Sequence, residues 1–420
     1  MDESVTSGLR NDKMPNTQLH FSPPTGWMND PNGLIFHQGK YHLFFQHNPF
    51  ANEFGNISWG HAVSEDLQHW EHWPLALPAS EGKMIYSGCV VYDESNSLAH
   101  PKGPALVALY TEHLYESEEL YSQSIRIATS HDEGMTWDMS HPEKLTGPEN
   151  DFRDPKVFWH KPSGKWVMVV ALPKKYRVLF YTSLDLRHWQ KTGEFTAAAP
   201  KGQFWECPDL FPLTDENGNE RWVLTLSGAN PDEQTWGMFY FTGDFDGKAF
   251  TPTNPPLVSP SGDAKELEDV KWLNYGHDFY AGITFEGTKE RIMLAWTGNW
   301  AYAMQVPNQG WKSLMSLPRK LSLKNGKLVQ TPITSEDIKV FDGPISEEKS
   351  FRFEVEGNRS IELLISPEQI NLKREGTNLG GDKHKELSYS FAIEHAKVYA
   401  EEGILEVFLN GGEWVLTERF

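Results

Sequence analysis

Cysteine is almost missing from this chain: Cys89 and Cys207 are the only two in 420 residues. They stand far apart, so neither a disulfide framework nor a paired-cysteine metal motif is available, and free thiols are expected. Positive charge is scarce as well, with 38 Lys and Arg against 58 Asp and Glu and a formal net charge of −20. No basic run exists from which to build a face for nucleic acid or an anionic membrane, and both partners are excluded on that ground. Long apolar runs are also lacking. No stretch reaches the roughly 20 apolar residues that span a bilayer. The first twenty residues carry Asp2, Glu3, Arg10, Asp12 and Lys13 without the apolar core of a secretory signal. The chain as given reads as soluble, either cytoplasmic or the mature form of a secreted protein, and its localisation stays open.

Aromatic residues are plentiful, at 13% with 16 Trp, which suits a sheet-rich protein and also one that presents flat rings to sugars. Asn56-Ile57-Ser58 and Asn358-Arg359-Ser360 match the glycosylation sequon, a short pattern that recurs by chance. The length suits one large domain and a smaller one.

A turn signal recurs along the chain. It reads Ser64-Glu65-Asp66-Leu67-Gln68-His69-Trp70, then Ser130-His131-Asp132-Glu133-Gly134-Met135-Thr136-Trp137, then Ser183-Leu184-Asp185-Leu186-Arg187-His188-Trp189, with a weaker copy from Gly243 to Phe250. The period is about 60 residues, which points to stacked or radial units. Two short runs rich in β-branched and aromatic residues precede each signal, the first pair being Tyr41 to Gln46 and Trp59 to Ser64. Units of several antiparallel strands repeated radially make a β-propeller. A β-sandwich explains the short strands but not the period. The expectation is therefore an all-β fold: an N-terminal extension over 1–19, a five-bladed β-propeller over 20–340 and a small C-terminal β-sandwich over 341–420.

Upstream of the first run in each unit lies a polar motif: Asn29-Asp30-Pro31, Tyr86-Ser87-Gly88-Cys89, Arg153-Asp154-Pro155, Glu206-Cys207-Pro208-Asp209 and Gly276-His277-Asp278-Phe279-Tyr280. Equivalent positions of successive blades face one channel, so the five motifs should converge at one end of the axis. Beyond Phe341 the pattern alternates, and Asn410-Gly411-Gly412 is a hairpin signal before Trp414. Lys373 to Lys385 reads as an exposed loop.

Three of the motifs carry a carboxylate followed within two residues by proline. One Asp-Pro is an ordinary turn; three in register with a repeat point to shared chemistry. Cleaving a glycosidic bond needs an acid to protonate the leaving oxygen and a carboxylate to attack or to activate water, and Asp30, Asp154 and Glu206 are the candidates. Asp30 has the amides of Asn29 and Asn32 at hand to stabilise its charge. A general acid must hold its proton near neutral pH, and Glu206 is flanked by Phe204, Trp205 and Cys207, surroundings poor in charge. Arg153 beside Asp154 offers a charge-assisted pair that keeps that carboxylate ionised.

Trp27-Met28-Asn29-Asp30-Pro31-Asn32-Gly33, Arg153-Asp154-Pro155 and Glu206-Cys207-Pro208, in that order, resemble glycoside hydrolase family 32, the invertases, exo-inulinases and levanases. The resemblance runs from about His20 to Leu321 and, more loosely, through the C-terminal segment. It implies a five-bladed propeller in which Asp30 is the nucleophile, Glu206 the acid/base and Asp154 the residue holding fructose hydroxyls in the transition state. It implies a retaining β-fructofuranosidase acting on sucrose or short fructans without a cofactor. It also implies that Asn29 and Gln46 are amide ligands to fructose, that Ser87 is the serine of a Phe-Ser-Gly motif and that Cys207 tunes the acid/base. Trp27 and Trp296 are placed near the pocket, and Arg153 and Phe54 at the substrate. No metal site is expected, and His277 and Asp278 are given a structural role.

The chain also departs from the family pattern. Phe54 stands where the family has Trp, losing an indole donor, and Tyr86 and Cys89 replace Phe and Ser around Ser87. These changes surround the sugar, so they bear on substrate preference. Rival readings are a fructosyltransferase, a hydrolase of phosphorylated sucrose whose basic rim would draw on Lys83, Lys174, Lys175 and Arg177, and a carbohydrate-binding propeller without turnover. The C-terminal segment is shorter than the family's usual sandwich, which leaves a sheet edge to cover; a homo-oligomer formed through it is one remedy.

Overall fold

The computed structural model describes residues 19–420 apart from 118, 198–203, 231–234, 254–270, 307–308, 336–338, 356–358, 377–378, 380–384 and 402. The extension expected over 1–19 (Leu19 excepted), the sequon residue Asn358 and most of 377–385 lie outside these residues. Five sheets follow one another in chain order and form the blades of a propeller. Their inner strands are Gly26–His37, Lys83–Asp93, Arg153–His160, Phe204–Thr214 and Tyr280–Thr284. Each packs against the next, and the fifth returns to the first, so the sheets close around an axis. The first blade gains a parallel strand, Trp311–Lys312, beside Gly26 and Trp27, which ties the end of the ring to its beginning.

Each strand run read from the sequence is the second or third strand of its blade, as in Lys40–Asn48 and Ser58–Ser64. The recurring turn joins the third strand to the fourth, and its chemistry explains its sequence. The Asp66 carboxylate accepts from the Gln68 and His69 amides, and Asp185 repeats this with Arg187 and His188. The Trp70 and Trp189 indoles donate to the Leu67 and Leu186 carbonyls. Both leucines take the left-handed backbone, φ 67° and 61°, and the side-chain bonds hold that uncommon geometry.

Four of the polar motifs lie on the inner strands themselves, and the fifth, Gly276 to Tyr280, leads into its strand and joins it at Tyr280. Each inner strand is irregular where its motif sits. Register shifts fall between Met28 and Pro31, Tyr86 and Gly88, Glu206 and Asp209, and Tyr280 and Ile283, and opposite Arg153 in the third blade. Asp154, Cys207 and Ala281 have positive φ there. A bulge re-aims one side chain and leaves one residue unpaired, and proline, which has no N–H to give, is tolerated there. The Asp-Pro and Cys-Pro steps are thus bulge signals that read as turns in the sequence.

The C-terminal sandwich packs Phe341–Pro344, His395–Glu401, Ile404–Leu409 and Trp414–Arg419 against Lys349–Val355, Arg359–Ile365, Gln369–Glu375 and Glu386–Ser390. Its core is aliphatic, with Ile361, Leu363, Leu372, Val398, Leu405 and Val407 buried between the sheets. The expected loop over 373–385 is a strand as far as Glu375, and Leu379 is buried against Tyr302 and Val306. The edge strand Trp414–Arg419 is covered: Tyr275 and Asp278 donate their amides to the Val415 and Thr417 carbonyls. Arg374, Asp278 and Glu418 form a buried ion cluster across this seam, and the Tyr302 hydroxyl donates to Asp278 at 2.7 Å. His277 and Asp278 belong to this join. No helix among the described residues is long and apolar enough to cross a membrane.

Candidate active site

At one end of the axis the bulged strands open into a pocket of about 690 Å³. Asp30, Asp154 and Glu206 line it together, from the first, third and fourth inner strands, and Asn29, Gln46, Phe54, Ser87 and Arg153 line it with them. Three of the sequence candidates stand behind this surface. Trp27 and Trp296 are fully buried, the Trp27 indole donating to Asn29 Oδ1 at 2.8 Å and that of Trp296 to Ser313 Oγ. Trp300, half-buried, lies against both and is the tryptophan that faces the pocket. Cys207 is buried beneath the carboxylates, its sulfur 3.5 Å from Asp30 Oδ2 and 3.7 Å from Asp154 Oδ2.

Asp30 sits at the bulge of the first strand. Ser87 Oγ donates to its Oδ2 at 2.7 Å, and Asn29 Nδ2 to its Oδ1 at 3.0 Å. Asn32, expected as a donor to this carboxylate, instead accepts from the Gly88 amide through its own Oδ1. Ser87 takes its place because Gly88 lets the second inner strand press against its neighbour; a Cβ on Gly88 would lie 2.2 Å from the Leu109 carbonyl oxygen. Burial raises the Asp30 carboxyl above its ordinary range, the Ser87 and Asn29 donors offset part of that, and the Glu206 charge adds to it.

Glu206 is not in charge-poor surroundings. Arg153 Nη2 and Nε donate to its Oε1 at 2.6 and 3.2 Å, and the Tyr280 hydroxyl donates to its Oε2 at 2.5 Å. Arg153 therefore pairs with Glu206, and with Asp151 at 3.0 Å, while its nearest approach to Asp154 is 3.9 Å. The reason is the αL bulge at Asp154, which turns that carboxylate inward, where it accepts from the Cys207 amide at 3.0 Å. Burial raises Asp154 to about 7, with Arg153 opposing and the Glu206 and Asp30 charges reinforcing the shift. Its expected ionised state thus gives way to one poised near neutrality.

Several participants were not singled out from the sequence. Thr111 Oγ1 donates to the Ser87 carbonyl and accepts from the Asp154 amide, tying the second blade to the third. Gln123 Oε1 accepts from the Phe152 amide and from Arg153. Tyr86 stacks on His113 at 4.4 Å, and Phe54 meets Trp300 edge-on at 5.4 Å, giving the pocket an aromatic wall. Gln46 Nε2 donates to the Ile85 carbonyl, which fixes the amide while its side chain still lines the pocket. Of the lysines and arginine named for a basic rim, Lys174, Lys175 and Arg177 pair with Asp151, Glu149 and Glu194.

Chemically, a pocket with two carboxylates accepting strong donors, a third held near neutrality and an aromatic wall suits polar, uncharged rings and proton transfer. Residues 20–332 match the family model described as the glycosyl hydrolases family 32 N-terminal domain. The chain is 41% identical over 350 residues to an extracellular exo-inulinase of Aspergillus niger and 42% identical over 332 residues to a levanase of Bacillus subtilis. Each alignment takes in 75% of this chain but 64% and 46% of those proteins, so the chain spans less than two thirds of the length of these relatives. The crystal structure of exo-inulinase from Aspergillus awamori is similar with a TM-score of 0.83 at 30% identity, covering 97% of this chain and 93% of that one. The β-fructofuranosidase from Schwanniomyces occidentalis complexed with fructosyl-erythritol gives 0.80 at 27%, covering 96% and 91%.

Proposed function

This chain belongs to family 32 of the glycosyl hydrolases, and on that premise we propose that it is a retaining β-fructofuranosidase that releases terminal fructose from sucrose and short fructans. Residues 20–340 serve as the catalytic propeller domain and 341–420 as the C-terminal sandwich. In the first step an Asp30 oxygen attacks the anomeric carbon while Glu206 protonates the departing glycosidic oxygen, giving a fructosyl ester of Asp30 and the free leaving sugar. In the second, Glu206, now a carboxylate, takes a proton from water, whose oxygen displaces Asp30 and yields fructose. Asp154 holds ring hydroxyls between the two, and Asn29, Gln46, Ser87 and Arg153 orient the sugar and the carboxylates. The chemistry calls for no cofactor.

The observation that carries this reading is that Asp30, Asp154 and Glu206, on three different inner strands, line one pocket. Lys174, Lys175 and Arg177 pair with carboxylates, which leaves Lys83 as the one member of the expected basic rim without an ion pair among the described residues and favours an unphosphorylated fructoside. Fructosyl transfer is the second reading, because the same ester can pass to a sugar hydroxyl. Incubation with sucrose, 6-phosphosucrose, kestose, inulin and levan, with products resolved over time, tests all three. Free fructose with net retention supports the proposal, and an inverted first-formed anomer overturns it. Residues 275 and 278 cover the edge strand Trp414–Arg419, so a homo-oligomer through the sandwich would pair at another of its edge strands, Phe341–Pro344, Lys349–Val355 or Glu386–Ser390; sedimentation at micromolar concentration decides the matter.

A further inference from the structure

We infer that His100, Asp138 and His141, at the edge of the second blade, form a site for a divalent transition-metal ion of the zinc type. One donor atom from each lies within 4.8 Å of the others. Two ligands about 2.1 Å from a common ion are at most about 4.2 Å apart, so closure requires only a small adjustment. Two imidazoles and a carboxylate are the donor set that a borderline ion prefers, with water completing the shell. None of the three lines the axial pocket, and the sequence offered no sign of the site because its ligands come from separate loops.

The surroundings prepare the site. His141 Nε2 faces Thr129 Oγ1 at 3.0 Å; with the proton there, Nδ1 presents its lone pair, the arrangement common behind metal-bound histidines. Glu143 Oε2, buried and without a hydrogen-bond partner among the described residues, lies 3.8 Å from that Nδ1. Asp138 is fixed by a two-way backbone pairing with Thr129, and its Oδ1 accepts from the Ser140 amide and hydroxyl; no such bond engages Oδ2 among the described residues. His100 ends a turn built by side chains. Asp93 accepts from the Ser97 and Leu98 amides, and Asn96 both accepts from the His100 amide and donates to its carbonyl. The turn also holds Asn96 and Ala99 at φ 52°, uncommon for residues other than glycine and sustained here by those bonds. One contact stands against ligation: the Lys102 amide faces His100 Nδ1 at 3.2 Å, and would be lost if Nδ1 were protonated to free Nε2. That long bond is a small cost beside a metal–imidazole bond. The bound ion would staple the 93–104 loop to the 138–141 segment.

The test uses the full chain, stripped with chelator and titrated with zinc chloride alone. One saturable equivalent is expected at micromolar or lower concentration, with a raised melting temperature, and cobalt chloride should give a visible absorption band. His100→Ala and Asp138→Asn should each weaken zinc binding by more than about tenfold while leaving the metal-free melting temperature unchanged. His69→Ala and His188→Ala, which remove exposed histidines of the Ser-x-Asp turns in the first and third blades, should bind as the parent does. Absence of saturable binding, or equal binding by the His100 and Asp138 variants, overturns the inference. Fructoside hydrolysis is expected to be the same with and without zinc.

Discussion

The Tyr280 hydroxyl donates to Glu206 Oε2 at 2.5 Å while Arg153 holds Oε1 of the same carboxylate. The two donors come from different blades, the fifth and the third, so the Glu206 side chain is fixed by the closure of the ring. Segment 275–278, just before Tyr280, is bound to the last strand of the sandwich and to the Arg374 cluster. The C-terminal module therefore supports the placement of one partner of the proposed acid/base.

Tyr280→Phe keeps the buried ring and removes only the hydroxyl. We expect kcat on sucrose to fall by about 10- to 100-fold, the loss that goes with a catalytic group displaced by a fraction of its reach, with KM within about twofold. Steady-state kinetics with matched circular dichroism checks it. An unchanged kcat would show that Arg153 alone suffices to place Glu206.

Asp30→Asn removes the proposed nucleophile and, with it, a charge that burial disfavours. Turnover should drop by at least about a thousandfold. Stability should hold or rise, because the amide keeps the shape and can still accept from Ser87. Denaturant melts beside kinetics separate this from a folding defect, and near-normal turnover would remove the nucleophile assignment.

Much of this architecture was legible in the chain. The second and third strands of each blade announced themselves through β-branched and aromatic runs, and the Ser-x-Asp turns gave the period. The inner strands did not, because Asn29-Asp30-Pro31-Asn32-Gly33 and Tyr86-Ser87-Gly88 carry the residues of turns; they serve bulges, which look the same in one dimension. The three carboxylates were found from their motifs and their shared register. Their partners were not, since Arg153 to Glu206, Tyr280 to Glu206 and Thr111 to Asp154 are contacts between blades that no local pattern encodes. Trp300 was missed for Trp296 because burial decides which of two nearby rings reaches the pocket, and sequence spacing is silent on burial.

Gly88→Ala tests the approach that brings Ser87 to Asp30. The added Cβ would meet the Leu109 carbonyl oxygen at 2.2 Å and the Tyr110 Cα at 2.7 Å, both backbone atoms that cannot step aside without moving a strand. A stability loss of about 1–3 kcal/mol or more is expected, with a fall in kcat because Ser87 moves with its strand. Ser87→Ala, which deletes the donor without the clash, should lower kcat while leaving the melting temperature nearly unchanged. If Gly88→Ala is as stable and active as the parent, the close approach is not what sets the Ser87 to Asp30 bond.

Asp154 makes a prediction about pH. Its carboxyl is raised from an ordinary 3.8 to about 7 in the folded chain, with burial the chief cause. Between those values the folded state binds more protons at this residue than the unfolded state does. Its contribution to stability is thus fully present below about pH 4, declines as pH rises and is lost above about 7, with a slope of at most about 1.4 kcal/mol per pH unit. Asp154→Asn cannot titrate, so its stability relative to the parent should climb across that window and level off above it. Chemical denaturation of both proteins at pH 4, 5.5, 7 and 8 measures this difference directly. A flat difference would mean that the Cys207 amide and the Arg153 charge hold Asp154 ionised throughout, and that its role at the sugar is that of a constant anion.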